Sequence, residues 1–398
     1  MTHFFSLPKY ASLPCITRGI TRGCLGSLIV LSLLFLNACS QKSPTVLKSM
    51  TDKGAGAKPQ DQIKKSDKVA LLIPLSGQHE ALGHSLEKAA EMSLFDHAND
   101  AINIAMYDTK SSETGAAQAA QKAIQEGAGI IIGPVFSNNV QAVSQISRRA
   151  HINVVSFSNN KDIANGGVFV LGFSPEEQIR QVVSYAASRG KKAFGVLIPR
   201  NGYGALVERE VQHLKKQYQF DVEFITYDVN SNNLSHELNP LKTLKVDTLF
   251  IPEGGRSLAR VISAALYQEI PLEGIQLLGT GQWDDPKIFA NHTLSGAWIA
   301  APDPQERFSF NGKYKQAYSE EPNRLATLSY DAISMLAVLR RHHGEQAFNV
   351  AALTQSRGFD GVDGVFRLQQ NGVSERKLAI LEVTQQGLRV LQTTDKSF

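Results

Sequence analysis

Val69-Ala70-Leu71-Leu72-Ile73 opens a stretch in which short apolar runs alternate with helical patterns: Leu82 to Asn99, Ile102 to Tyr107, Glu113 to Glu126, Ile130 to Ile132, Asn138 to Ala150, and Asn153 to Ser156. A run that is apolar at every position, not every second one, predicts a strand covered on both faces. Strands of that kind separated by helices predict a parallel sheet built from right-handed βαβ units. The series restarts after Phe169 to Phe173, where Ser174-Pro175-Glu176-Glu177 reads as a helix start. Serine is a good cap, proline suits the first position, and the glutamates face the positive end of the helix dipole. Ala193 to Ile198, Val222 to Tyr227, Thr248 to Ile251 and Gln276 to Leu278 follow as strands, again separated by helical segments.

From about Ala297 the alternation stops. Arg307 to Ser319 and Leu325 to His342 read as consecutive helices, and Gly364 to Leu368 and Leu378 to Thr384 as antiparallel strands around an Asn371-Gly372 turn. The expected fold is therefore α/β, two doubly wound lobes with a hinge and an interlobe cleft, the arrangement of a type I periplasmic binding protein. The body should span 68–392, with lobe 1 at about 68–173 and 300–360 and lobe 2 at about 174–299 and 361–392. Ligands of such sheets sit at the carboxyl ends of the strands, here between the lobes.

The amino-terminal region reads differently. Lys9, Arg18 and Arg22 precede the twelve-residue run Leu25 to Leu36, an n-region and h-region of a signal peptide over 1–38. The run is short of the ~20 apolar residues needed to span a bilayer. Leu36-Asn37-Ala38-Cys39 resembles a bacterial lipobox, which makes Cys39 the lipidated first residue of the mature chain. An ordinary cleaved signal and an uncleaved anchor are the alternatives. Residues 39–67 are polar and lysine-rich with scattered Gly and Pro, and read as a disordered tether. Ser40 after the cysteine, where Asp would favour inner-membrane retention by analogy with enteric sorting, points to the outer membrane.

Composition narrows the function. Cys15, Cys24 and Cys39 are the only cysteines, so the body can hold no disulfide framework and no thiolate metal site. The formal charge of +4 falls to +1 once the three signal-peptide cations are removed, which gives no basis for binding nucleic acid. No GxSxG, HExxH, GxxxxGK[ST] or GxGxxG occurs, so no catalytic residue, metal site or cofactor is expected. Gly279-Thr280-Gly281 lacks the third glycine, with Asp284 in its place, and reads as a strand-to-helix turn.

The loops after the strands carry the informative chemistry. Ser76 follows the first strand, Ser137, Asn138 and Asn139 the third, and Ser158, Asn159 and Asn160 the fourth. Their hydroxyls and amides suit a small polar ligand, and equally serve as helix caps and turn formers. In the second half Tyr203, Glu253, Arg256, Trp283 and Asp284 occupy equivalent loops, fit for recognition at a cleft rim or for packing between lobes.

Several ordered motifs carry a family resemblance: Val69 to Gly77, Tyr107-Asp108-Thr109, Ile132-Gly133-Pro134 with Asn138-Asn139-Val140, and Phe173 to Glu177 look like the leucine-binding-protein-like superfamily. Within it, Val196-Leu197-Ile198-Pro199-Arg200 and Gly361-Val362-Asp363-Gly364-Val365-Phe366-Arg367 look like the penicillin-binding protein activator lipoproteins. The resemblance implies a non-catalytic protein anchored by lipid in the periplasm, with a class A penicillin-binding protein as its partner. The best-known members carry a helical-repeat domain ahead of this fold; here a tether of about 28 residues, roughly 30 Å as flexible coil, holds that position. Amino-acid-binding relatives place an acid for the ligand ammonium where Gly281 stands, and a hydroxyl where Asn160 stands, leaving Asp284 or Glu253 as substitutes. The other reading is the substrate-binding lipoprotein of an ABC importer for amino acids or another small polar solute, with Ser76, Ser137 and Ser158 on the ligand.

Overall fold

The computed structural model describes residues 67–97, 102–394 and 397–398. The signal peptide, Cys39 and nearly all of the tether, to residue 66, lie outside the described residues.

In the first lobe, strands β1 (Lys68–Ile73), β2 (Asn103–Asp108), β3 (Ala128–Ile132), β4 (Asn153–Ser156) and β5 (Val168–Val170) form one parallel sheet in the order β2-β1-β3-β4-β5. Helices α1 (Glu80–Asp96), α2 (Glu113–Gln125) and α3 (Ser137–Arg149) connect the first four. The continuous apolar runs follow from burial on both faces. Val69, Leu71 and Ile73 pack toward Leu86 and Ala90 of α1, while Ala70 and Leu72 pack toward Ala116 and Ala120 of α2 and Val140 and Val143 of α3. Gly115 lets α2 lie close: a Cβ there would stand 2.2 Å from the Thr109 carbonyl oxygen.

The chain first crosses at Leu171 to Phe173. Ser174 caps α4 (Pro175–Ser188), its hydroxyl accepting from the Glu177 amide at 3.2 Å, with proline in the first turn as the sequence predicts. The second lobe contains β6 (Ala193–Pro199), α5 (Gly202–Tyr218), β7 (Asp221–Tyr227), β8 (Thr248–Phe250), α6 (Gly255–Tyr267), β9 (Gln276–Thr280) and β10 (Trp298–Ala301). After Ala301 the chain crosses again into α7 (Pro304–Tyr318) and α8 (Ala326–His343), which join the first lobe through Phe310 and Tyr314 against Ala89 and Met92, and Leu336 and Leu339 against Leu86.

The carboxyl-terminal part departs from expectation. β11 (Phe366–Leu368) pairs across the Asn371-Gly372 turn with β12 (Ser374–Arg376), not with Leu378 to Thr384. The segment beyond forms β13 (Ala379–Thr384), which runs antiparallel to β10 and to β14 (Gly387–Gln392), completing the order β14-β13-β10-β9-β8-β6-β7. The reason is burial on both faces: Ala379, Leu381 and Val383 enter one core and Leu378 and Ile380 another, which a two-stranded ribbon cannot supply. Phe359, Phe366 and Leu368 pack in the first-lobe core, and the Val170 amide donates to the Gly372 carbonyl at 2.9 Å. The chain makes its second crossing after Ala301 and its third between Arg376 and Ala379.

Charged side chains fill the place where these crossings meet. Arg324 donates two hydrogen bonds to Asp363, at 3.0 and 2.9 Å, and the Thr327 hydroxyl adds a third. Arg376 donates to Asp331 at 3.3 Å and to the Gly364 carbonyl at 3.2 Å, while Asp331 accepts from the Val362 amide at 2.7 Å. Both guanidinium groups lie over the Phe173 ring of the first crossing, at 4.5 and 5.3 Å from its centre. Burial pushes the Asp331 carboxyl up to about 7. Burial acts on Asp363 too, but the charges of Arg324 and Arg376 and the hydrogen bonds from Arg324 and Thr327 outweigh it and hold that carboxyl below its ordinary value.

Arg324→Ala should cost about 3 kcal/mol in urea unfolding at neutral pH, because it strips a partner from a buried carboxylate. The cost should shrink as pH falls. A depressed carboxyl contributes stability above its unfolded pKa and loses it on protonation.

Candidate interlobe binding site

The carboxyl ends of β1 to β4 bring the first set of predicted residues together, but not in one role. Ser76 is committed: its hydroxyl donates to Asp108 at 2.6 Å and its amide at 3.2 Å. Asp108, the last residue of β2, also accepts from the Leu75 and Lys110 amides at 2.9 and 2.7 Å. Those donors, with the Ser76 hydroxyl, outweigh partial burial and lower the Asp108 carboxyl. Ser76 thus retains only acceptor capacity toward a ligand.

Ser137 and Ser158 do converge, their hydroxyl oxygens 3.1 Å apart. The Asn160 amide donates to the Ser158 hydroxyl at 3.2 Å, and the Asn160 side chain caps the turn Lys161–Ile163 by accepting from the Asp162 amide. Asn138 and Asn159 are exposed, whereas Asn139 turns inward and its side-chain amide nitrogen is buried with no hydrogen-bond partner among the described residues.

In the second lobe, β7 and β8 flank β6, and side chains at their carboxyl ends meet across it. The Tyr227 hydroxyl, at the last residue of β7, donates to the Glu253 carboxylate in the loop after β8 at 2.7 Å. Burial raises the Glu253 carboxyl and the Tyr227 hydrogen bond partly offsets it. No lysine or arginine pairs with Glu253 among the described residues. Tyr203, in the first turn of α5, is partly buried, and that burial with the nearby Glu253 charge pushes its hydroxyl up, while hydrogen bonds with Thr280 and Gln282 act the other way.

Two predicted residues are taken up by internal contacts. Trp283 is fully buried in the second-lobe core, its indole N–H donating to the Glu253 carbonyl at 2.7 Å. The ring leaves no room for a side chain at Gly279, where a Cβ would stand 2.3 Å from it. Asp284 is ion-paired with Arg307 of α7, so it is not free for a ligand's ammonium. The Gly281 amide donates to Gln178 at 2.8 Å. Arg256 is exposed at the start of α6.

Asp108 and Tyr227 went unnoticed as site residues, although each is the last residue of a strand and therefore stands at the end where such sheets bind ligands. Among the described residues no group of three His, Cys, Asp or Glu side chains could hold a metal ion. The set is built for hydrogen bonding, with hydroxyls and amides on one lobe and a tyrosine-carboxylate pair on the other.

In Tyr227→Phe the Glu253 carboxyl should titrate at higher pH than in the wild type, read by carbon NMR of the side chain. Its stability should also fall more steeply as pH rises above about 4.3, because a raised carboxyl favours the fold only while protonated.

A family profile described as "Periplasmic binding protein" matches residues 67–388. The penicillin-binding protein activator LpoA of Enterobacter sp. is 23% identical over 290 residues, 71% of this chain and 34% of that protein. LpoA of Pantoea ananatis is 31% identical over 117 residues, 29% of this chain and 16% of that protein. An uncharacterised protein of Rickettsia prowazekii is 26% identical over 151 residues, covering 38% of this chain and 40% of its own. The matches thus span well under two thirds of the length of these curated relatives. Among solved structures, the leucine-binding protein LivK of Thermotoga maritima superposes with a TM-score of 0.62 at 20% identity, covering 82% of this chain and 98% of that one. A putative branched-chain amino acid ABC transporter protein of Rhodospirillum rubrum gives 0.70 at 16% identity, covering 81% and 99%. Those likenesses establish the fold. With the profile running through both lobes and their crossings, the chain belongs to the periplasmic binding protein family.

Proposed function

We propose that this chain is a non-catalytic lipoprotein of the cell envelope whose two-lobed body stimulates a class A penicillin-binding protein. The observation that carries the reading is the alignment with LpoA of Enterobacter sp. through 71% of this chain. The site chemistry supports it. Gly281 stands where an amino-acid receptor needs an acid, its amide is tied to Gln178, and Asp284 is consumed by Arg307. A zwitterion enclosed there without a paired ammonium would pay several kcal/mol. In this reading, lipidation at Cys39 holds the body in the periplasm at the outer membrane.

The purified chain without residues 1–39 should raise glycan polymerisation or crosslinking by a class A synthase of the same organism several-fold. No effect on any of those synthases would sink the reading.

One observation favours a second reading, the solute receptor of an importer. Glu253 is a half-buried carboxylate with a tyrosine donor and no paired cation, suited to a ligand's ammonium. The two readings separate in a thermal-shift panel of amino acids, short peptides and muropeptides. A true ligand at 100 times its dissociation constant stabilises by about 2.7 kcal/mol, whereas the activator reading expects a flat response to free amino acids.

A further inference from the structure

Lys161 lies in the turn between β4 and β5, so its backbone belongs to the first lobe. Its ammonium reaches out of that lobe. It stands 2.9 Å from the Glu176 carboxylate and 3.9 Å from that of Glu210. Glu176 is in the first turn of α4 and Glu210 is on α5, and those helices bury Ile179, Val182, Val207 and Val211 in a second-lobe core.

The two carboxylates are held before the lysine arrives. Glu176 is 4% exposed and accepts from the Ser174 hydroxyl at 3.1 Å. Glu210 is 9% exposed, with Arg180 at 3.5 Å and Arg209 at 3.7 Å. The second lobe therefore supplies a fixed acidic socket and the first lobe a single cation on a flexible stem. Ion pairs between exposed groups contribute little, but here both acids are nearly buried, while the Lys161 side chain is 37% exposed, so concentrated salt still reaches the cation.

We propose that Lys161 is an interlobe latch, a lobe-1 cation seated in a lobe-2 carboxylate socket, that holds the two lobes in register without a ligand. It directly follows Ser158, Asn159 and Asn160, so the same contact sets where those side chains stand against the second lobe. The latch depends on neither functional reading above.

The test reads the distance between the lobes. Nitroxides are placed at the exposed positions Gln125 on α2 and Lys216 on α5, in the full chain with Cys15→Ser, Cys24→Ser and Cys39→Ser, and followed by double electron-electron resonance. Lys161→Glu, which sets a third acid against the socket, should move the distribution several ångströms outward. The wild type should do the same in about 1 M salt, where the screening length is about 3 Å, and Lys161→Arg should keep the low-salt wild-type distribution. A Lys161→Glu distribution indistinguishable from wild type, at an unchanged melting midpoint, overturns the latch. Should that variant fail to fold, a wild-type distance that does not respond to salt overturns it equally.

Discussion

Two arginines and two buried aspartates, Arg324 with Asp363 and Arg376 with Asp331, hold the place where the chain passes between lobes. Burying Asp331, Asp363 and Arg376 is costly, and the cost is offset only if every carboxylate oxygen finds a donor. That condition fixes the geometry. Asp363 needs Arg324 and Thr327, Asp331 needs Arg376 and the Val362 amide, and both arginines need the face of Phe173. Segments near positions 173, 324, 331, 363 and 376 can satisfy one another only together. The Arg376 amide also donates to Glu177 at 3.3 Å, carrying the network into the first turn of the second lobe.

What the candidate site can do follows from which groups that framework leaves uncommitted. Parallel sheets deliver the ends of their strands and the first turns of their helices to one side, so polar residues collect there whether or not a ligand does. Ser76 is committed to Asp108 at the end of β2 and Trp283 to the core, while Asp284 serves the junction with α7. The Ser137 and Ser158 hydroxyls and the Tyr227-Glu253 pair remain.

Much of the fold could be read from local pattern. Val69 to Ile73 and Ile130 to Ile132 are apolar at every position because helices cover both faces, and Ser174-Pro175 marks the first turn of α4 because cap chemistry is local. The small sheet was misread for the opposite reason. Leu378 to Thr384 carries the same apolar signature beside β12 or beside β10, and only the space next to β10 buries both of its faces.

The same division holds at the site. The sequence alone settled which residue types follow the strands, since strand ends and turn formers are set by neighbours a few positions apart. It could not say that Trp283 lies under Gly279, that Asp284 meets Arg307, or that Lys161 reaches Glu176. Those outcomes belong to tertiary structure, because a side chain's partner depends on which distant segment fills the space beside it, and a charge is committed or free only once that segment has arrived.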